Sequence, residues 1–116
     1  MRISLKQGVR LTGLSPQMTV ALMVIAGEWE ETESDGLVVT SCNDSLHSNR
    51  SKHYRGDALD IRTKPTLYGG LKMPIQDRQG VANNISRALG QDFDVILEHV
   101  GSDNEHLHVE YDPRKP

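Results

Sequence analysis

The segment HLHVEY, His106–Tyr111, constrains the fold of this chain more than any other. Side chains alternate across a β-strand, so His106 and His108 must share one face, and Glu110 continues it. Two imidazoles side by side on a sheet face have to be hydrogen-bonded or wet. A metal ion is one efficient way to satisfy them, and a solvated sheet face is the bland alternative.

The rest of the chain supplies elements to build such a sheet. Ser15-Pro16 is a helix opening, with Ser as cap and Pro in the first turn. Met18, Ala21, Leu22, Ile25, Ala26 and Trp29 then recur at helical spacing, predicting a first helix to about Glu30. LVVTS (Leu37–Ser41) and ALDIR (Ala58–Arg62) read as strands, and residues 63–73, with Pro65 and Gly69-Gly70, as a surface loop. Pro74 opens a second helix whose Val81, Ile85, Ala88 and Leu89 share a face, and Gly90 ends it. FDVILE (Phe93–Glu98) is a further strand, joined to HLHVEY by a turn containing Gly101 and Asp103-Asn104. The expected class is α+β: a small antiparallel sheet with helices packed on one side.

At 116 residues the chain has room for one domain. A net charge of −3 provides no basic field, which argues against a nucleic-acid partner. The longest apolar run, residues 20–26, is too short to span a bilayer, so no membrane partner is expected. A single cysteine, Cys42, permits no internal disulfide. The opening MRISLKQGVRLTG has no apolar core or cleavage site of a signal peptide, so the expectation is a protein made in the cytoplasm.

A second stretch adds to the histidine pair. In SKHYRGDALDIR, residues 51–62, His53 precedes Asp60 by seven positions, with Gly56 between them. Asp60 is flanked by Leu59 and Ile61; with those in the core it faces the other way, and Asp is disfavoured inside a strand. His53, Asp60 and one of the paired histidines make a set of two His and one carboxylate. Three protein ligands and an open fourth position are the pattern of a catalytic zinc site. Cys42 as a fourth ligand competes with its commoner role as a small buried residue. Proton transfer at such a site needs a carboxylate, and Glu105, Asp103 and Glu98 are all near in sequence.

At these residues the sequence resembles a known family. SKHYRGDALDIR fits the SxHxxGxAxD signature of zinc D-Ala-D-Ala carboxypeptidases and phage L-alanyl-D-glutamate endopeptidases, whose fold is shared with hedgehog proteins. EHLHVEY fits their second signature, in which an acid stands three residues before the last ligand histidine. GLSPQM, LVVTSCND and LHSNRSKHY also resemble small phage and prophage members.

The resemblance implies Zn²⁺ held by His53, Asp60 and His108, with Glu105 as general base and acid. His106 would assist from beside the metal. An alternative register takes His106 as the ligand and Asp103 as the base. Ser51 and Gly56 would shape the ligand loop, and Ala58 would pack behind the site. The family's Tyr-Arg pair upstream of the first ligand has no counterpart here, which leaves His47, Arg50 or Arg55 to supply a positive group for substrate, alongside Ser51. The implied reaction is hydrolysis of a peptide bond in peptidoglycan stem peptides, by a phage-encoded lysin released to the wall or carried with virion proteins. A catalytically silent zinc-binding module of a phage particle is the alternative.

Overall fold

The computed structural model of the chain describes residues 1–42 and 56–113. Helix α1 (Pro16–Glu30) begins as its opening dictates: the Ser15 hydroxyl accepts the Met18 amide at 3.2 Å, with Pro16 in the first turn. Helix α2 (Ile75–Leu89) follows Pro74 and stops at Gly90, whose φ of 91° suits glycine. Five strands complete the fold: β1 (Ile3–Leu5), β2 (Leu37–Ser41), β3 (Ala58–Arg62), β4 (Phe93–Glu98) and β5 (His106–Tyr111). They form one sheet in the order β1-β2-β3-β5-β4.

The α+β class agrees with the sequence expectation, and the sheet is mostly antiparallel. The departure is β1, which sequence pattern does not reveal and which pairs parallel to β2. Three residues, ISL, are too few for alternation to show. The strand exists because β2 offers its edge: Leu37 donates its amide to Arg2 and Lys6 donates to Val39, each at 2.9 Å.

One parity of every central strand faces the helices. Leu37, Val39, Leu59, Ile61, Leu107 and Val109 share a core with Met18, Ile25 and Trp29 of α1 and Val81, Ala82 and Ile85 of α2. Each fully buried side chain of this kind contributes about 1.5–3 kcal/mol. The opposite parity, Asp60 and Arg62 on β3 and His106, His108 and Glu110 on β5, therefore lies on the face away from the helices. A one-residue slip of β5 would drive both histidines into the core and expel Leu107 and Val109, so register is strongly specified. Cys42 belongs to the core and is fully buried, as its commoner role requires.

Two loop features hold β3 in place. Gly56 has φ +76°, and a Cβ there would meet the Gly13 carbonyl oxygen at 2.0 Å. Its own carbonyl accepts the Ser15 amide at 2.9 Å, tying the entry of β3 to the start of α1. After β3, the loop read as a surface feature is packed more closely than expected: Leu71 is 1 % exposed and donates its amide to Thr63.

Candidate metal centre

Strand pairing assembles the site. Asp60 of β3 is the cross-strand partner of His108 of β5, and Arg62 is the partner of His106. On the other edge of β5, Glu98 of β4 pairs with His106. The face away from the helices thus carries Asp60, His106, His108 and Glu98 within one patch, at positions separated by 48 residues of chain between Asp60 and His108.

The hydrogen bonds are specific. Nδ1 of His108 lies 2.8 Å from Asp60 Oδ1, and its Nε2 lies 2.8 Å from Glu110 Oε1. Nε2 of His106 lies 2.9 Å from Glu98 Oε1 and 3.8 Å from Asp60 Oδ1. Its Nδ1 lies 2.8 Å from the Asn104 carbonyl. Burial alone would lower the His108 pKa, but the Asp60 and Glu110 carboxylates outweigh it and raise the ring to about 9. Without a metal, both ring nitrogens of His108 therefore donate to carboxylates.

Ligand atoms of Asp60, Glu98 and His108 all lie within 4.8 Å of one another, so these residues could hold a metal ion. The donors are carboxylate oxygen and imidazole nitrogen, which suit zinc and other divalent transition metals. Glu110, behind His108, is the usual kind of partner of a metal-ligating histidine. A second set, Asp94, Glu110 and Asp112, brings three carboxylates to the same spacing beside it.

No family model matches the chain, nor does any curated protein or solved structure. The functional reading therefore rests on the geometry of β3, β4 and β5 and on the sequence motifs.

Asp60, His106 and His108 come together as described. His47, Arg50, Ser51, His53 and Arg55 lie outside the described residues. Ala58 is fully buried and pairs with Glu110, so it stands on the site face rather than behind it. Asp103 is exposed at the rim and bound by Lys64, whose hydrogen bond and charge hold its carboxyl below the usual range.

Glu105, the expected proton carrier, lines a small pocket that His106 and Arg62 share, but its carboxylate is turned to other partners. It continues the Leu107–Val109 parity, on the helix side of the sheet, and is 3 % exposed. Its carboxylate accepts hydrogen bonds from Thr63, from Arg78 Nη1 at 2.9 Å and from the Gly101 amide at 3.0 Å. Burial would raise its pKa, but those three donors and the Arg78 charge outweigh it and lower it. A residue three before His108 on an extended strand falls on the opposite face, and here Thr63, Arg78 and the Gly101 amide take up its carboxylate.

Glu98, one of the three acids the sequence offered, is the one on the imidazole face. His99, beside it, adopts φ 53° at the start of the β4–β5 turn, and its ring sits 5.6 Å from that of His106. Periodicity carries no signal for either, because the hairpin's pairing register decides what lies opposite His106.

Proposed function

We propose that this face is the centre of a zinc-dependent peptidase that hydrolyses a bond in peptidoglycan stem peptides. The observation that carries the reading is the cross-strand pairing of Asp60 with His108, with Glu98 in reach. Support comes from the two sequence signatures, whose Asp and last His are the residues that pairing joins. The hedgehog and D-Ala-D-Ala peptidase likeness of the fold, a phage-encoded role in wall lysis and release to the wall belong to the same proposal. Among the described residues no helix is long and apolar enough to cross a membrane.

Asp60 and His108 hold the ion, with His53 as the third ligand by motif. Glu110 accepts from the second nitrogen of His108 and keeps the ring oriented. Bound zinc supplies Lewis acidity to a scissile carbonyl and lowers the pKa of water. With His53 rather than Glu98 completing the ligand set, Glu98 would be free to take a proton from the attacking water and pass it to the departing amine. Its side chain is 40 % exposed, open to substrate, and His106 fixes it by the 2.9 Å contact. Glu105 is a structural acid in this reading, holding the β4–β5 turn against α2.

The test is mass spectrometry of stem peptides incubated with zinc-loaded protein, run with Glu98→Gln and Asp60→Ala. A single cleaved bond with wild type, no product from Glu98→Gln at one zinc per chain, and zinc loss in Asp60→Ala are expected. No product from wild type holding one zinc per chain would sink the peptidase and leave a non-hydrolytic metal-binding module.

A further inference from the structure

Beside the imidazole patch the same sheet face carries two cations. Arg62 stands two residues beyond Asp60 on β3, on the same face, roughly 7 Å along the strand at about 3.3 Å per residue. A small pocket of about 60 Å³ joins it to His106, Thr40 and Lys6, and two acids, Asp103 and Glu105, also line it. A larger cleft of about 310 Å³ shares Arg62 and Lys6 and continues to Leu5, Val38 and Tyr68. Arg62 and Lys6 thus lie between the metal-ligand patch and an apolar cleft.

The charges around them are accounted for elsewhere. Asp60 is engaged by His108, Glu98 by His106, and Asp103, the acid at the rim, by Lys64. Arg78, the arginine at the helix-side cavity, is committed to Glu105. Among the described residues Arg62 has no carboxylate partner. It is only half-buried, and a guanidinium offers a planar fork that matches a carboxylate.

We propose that Arg62, assisted by Lys6, is the subsite for a free carboxylate on the substrate peptide, within about two residues of the bond that is cut. The spacing sets that limit, since an extended peptide advances roughly 3.3–3.6 Å per residue. Leu5, Val38 and Tyr68 take the adjoining apolar part of the ligand. The inference rests on the peptidase reading for its substrate class, and its binding step is measured without turnover.

The probes are two acetylated dipeptides, L-Ala-D-Glu and its diamide, titrated into zinc-loaded protein and followed by amide chemical shifts. Wild type should bind the acid about tenfold to a hundredfold more tightly than the amide, the range for a charge-assisted pair. Arg62→Gln should bring that ratio close to one, Arg62→Lys should keep part of it, and Lys6→Gln should lower it a few-fold. Zinc content and spectral dispersion verify that each variant is folded. Equal affinity for acid and amide, an unchanged ratio in Arg62→Gln, or no binding of either peptide would overturn the subsite. Hydrolysis is scored separately by mass spectrometry. An Arg62-dependent preference without hydrolysis sinks the peptidase alone, and hydrolysis without that preference sinks the subsite alone.

Discussion

Glu105 and Arg78 form a buried ion pair at the entry to the strand that carries both histidines. The Glu105 side chain is 1 % exposed and that of Arg78 12 %. Arg78 comes from α2, Thr63 follows β3, and Gly101 lies in the β4–β5 turn, so one carboxylate joins three segments. Removing Arg78 strands a charge in a nearly dry site, for which the cost is about 3–5 kcal/mol. Glu105→Gln keeps the shape but weakens three charge-assisted hydrogen bonds, a loss of about 1–3 kcal/mol. The double replacement Glu105→Leu with Arg78→Met removes both charges and should recover much of the loss, giving a coupling of about 2 kcal/mol or more. Urea unfolding of the metal-free protein at pH 7, followed by circular dichroism, measures all four corners of the cycle. The pH dependence follows from the lowered pKa of Glu105. A carboxyl held below its unfolded value contributes stability that is complete above that value and is lost as pH falls through the folded one. The gap between wild type and Glu105→Gln should therefore close in acid, below about pH 4.5. A Glu105→Gln protein within about 0.5 kcal/mol of wild type at pH 7, yet without turnover, would refute this account and restore Glu105 as the proton carrier.

Three further outcomes are expected. Gly56→Ala combines a left-handed backbone with a Cβ 2.0 Å from the Gly13 oxygen; it should cost about 2–4 kcal/mol in denaturant unfolding. Gly80 lies inside α2, where an added methyl would have nothing within 4 Å; Gly80→Ala should raise unfolding free energy by about 0.5–1 kcal/mol, and a decrease would contradict its exposed placement. In the metal-free protein His108 is raised to about 9. Its contribution is complete below the unfolded value near 6.5 and is lost as pH rises toward 9, a decline of about 1–2 kcal/mol after solvent screening. Urea midpoints between pH 6 and 9.5 read this loss, and His108→Gln should flatten the profile.

Much of this architecture is written in short-range pattern. Helical spacing from Met18 to Trp29 and the Ser15-Pro16 opening define α1, because a helix repeats every 3.6 residues and its first amides need acceptors. Alternation in HLHVEY places His106, His108 and Glu110 on one face before any partner strand is known. The Asp60 placement follows from Leu59 and Ile61 in the same way. The two signatures single out Asp60 and His108, which β3 and β5 bring to 2.8 Å.

What surrounds those residues was decided only in three dimensions. β1 is a strand because β2 has a free edge to pair with, not because ISL favours extended backbone. Glu105 follows the core parity of Leu107 and is captured by Arg78 and Thr63, which lie 27 and 42 residues away in sequence. Glu98 and Arg62 stand opposite His106 through pairing register alone. Periodicity assigns a side chain to a face of its own strand, whereas the neighbour across that face is chosen by hairpin length and by burial of the opposite side. The chain by itself therefore singled out Asp60 and His108 as candidate ligands, and packing of the sheet against two helices determined which acids stand beside them.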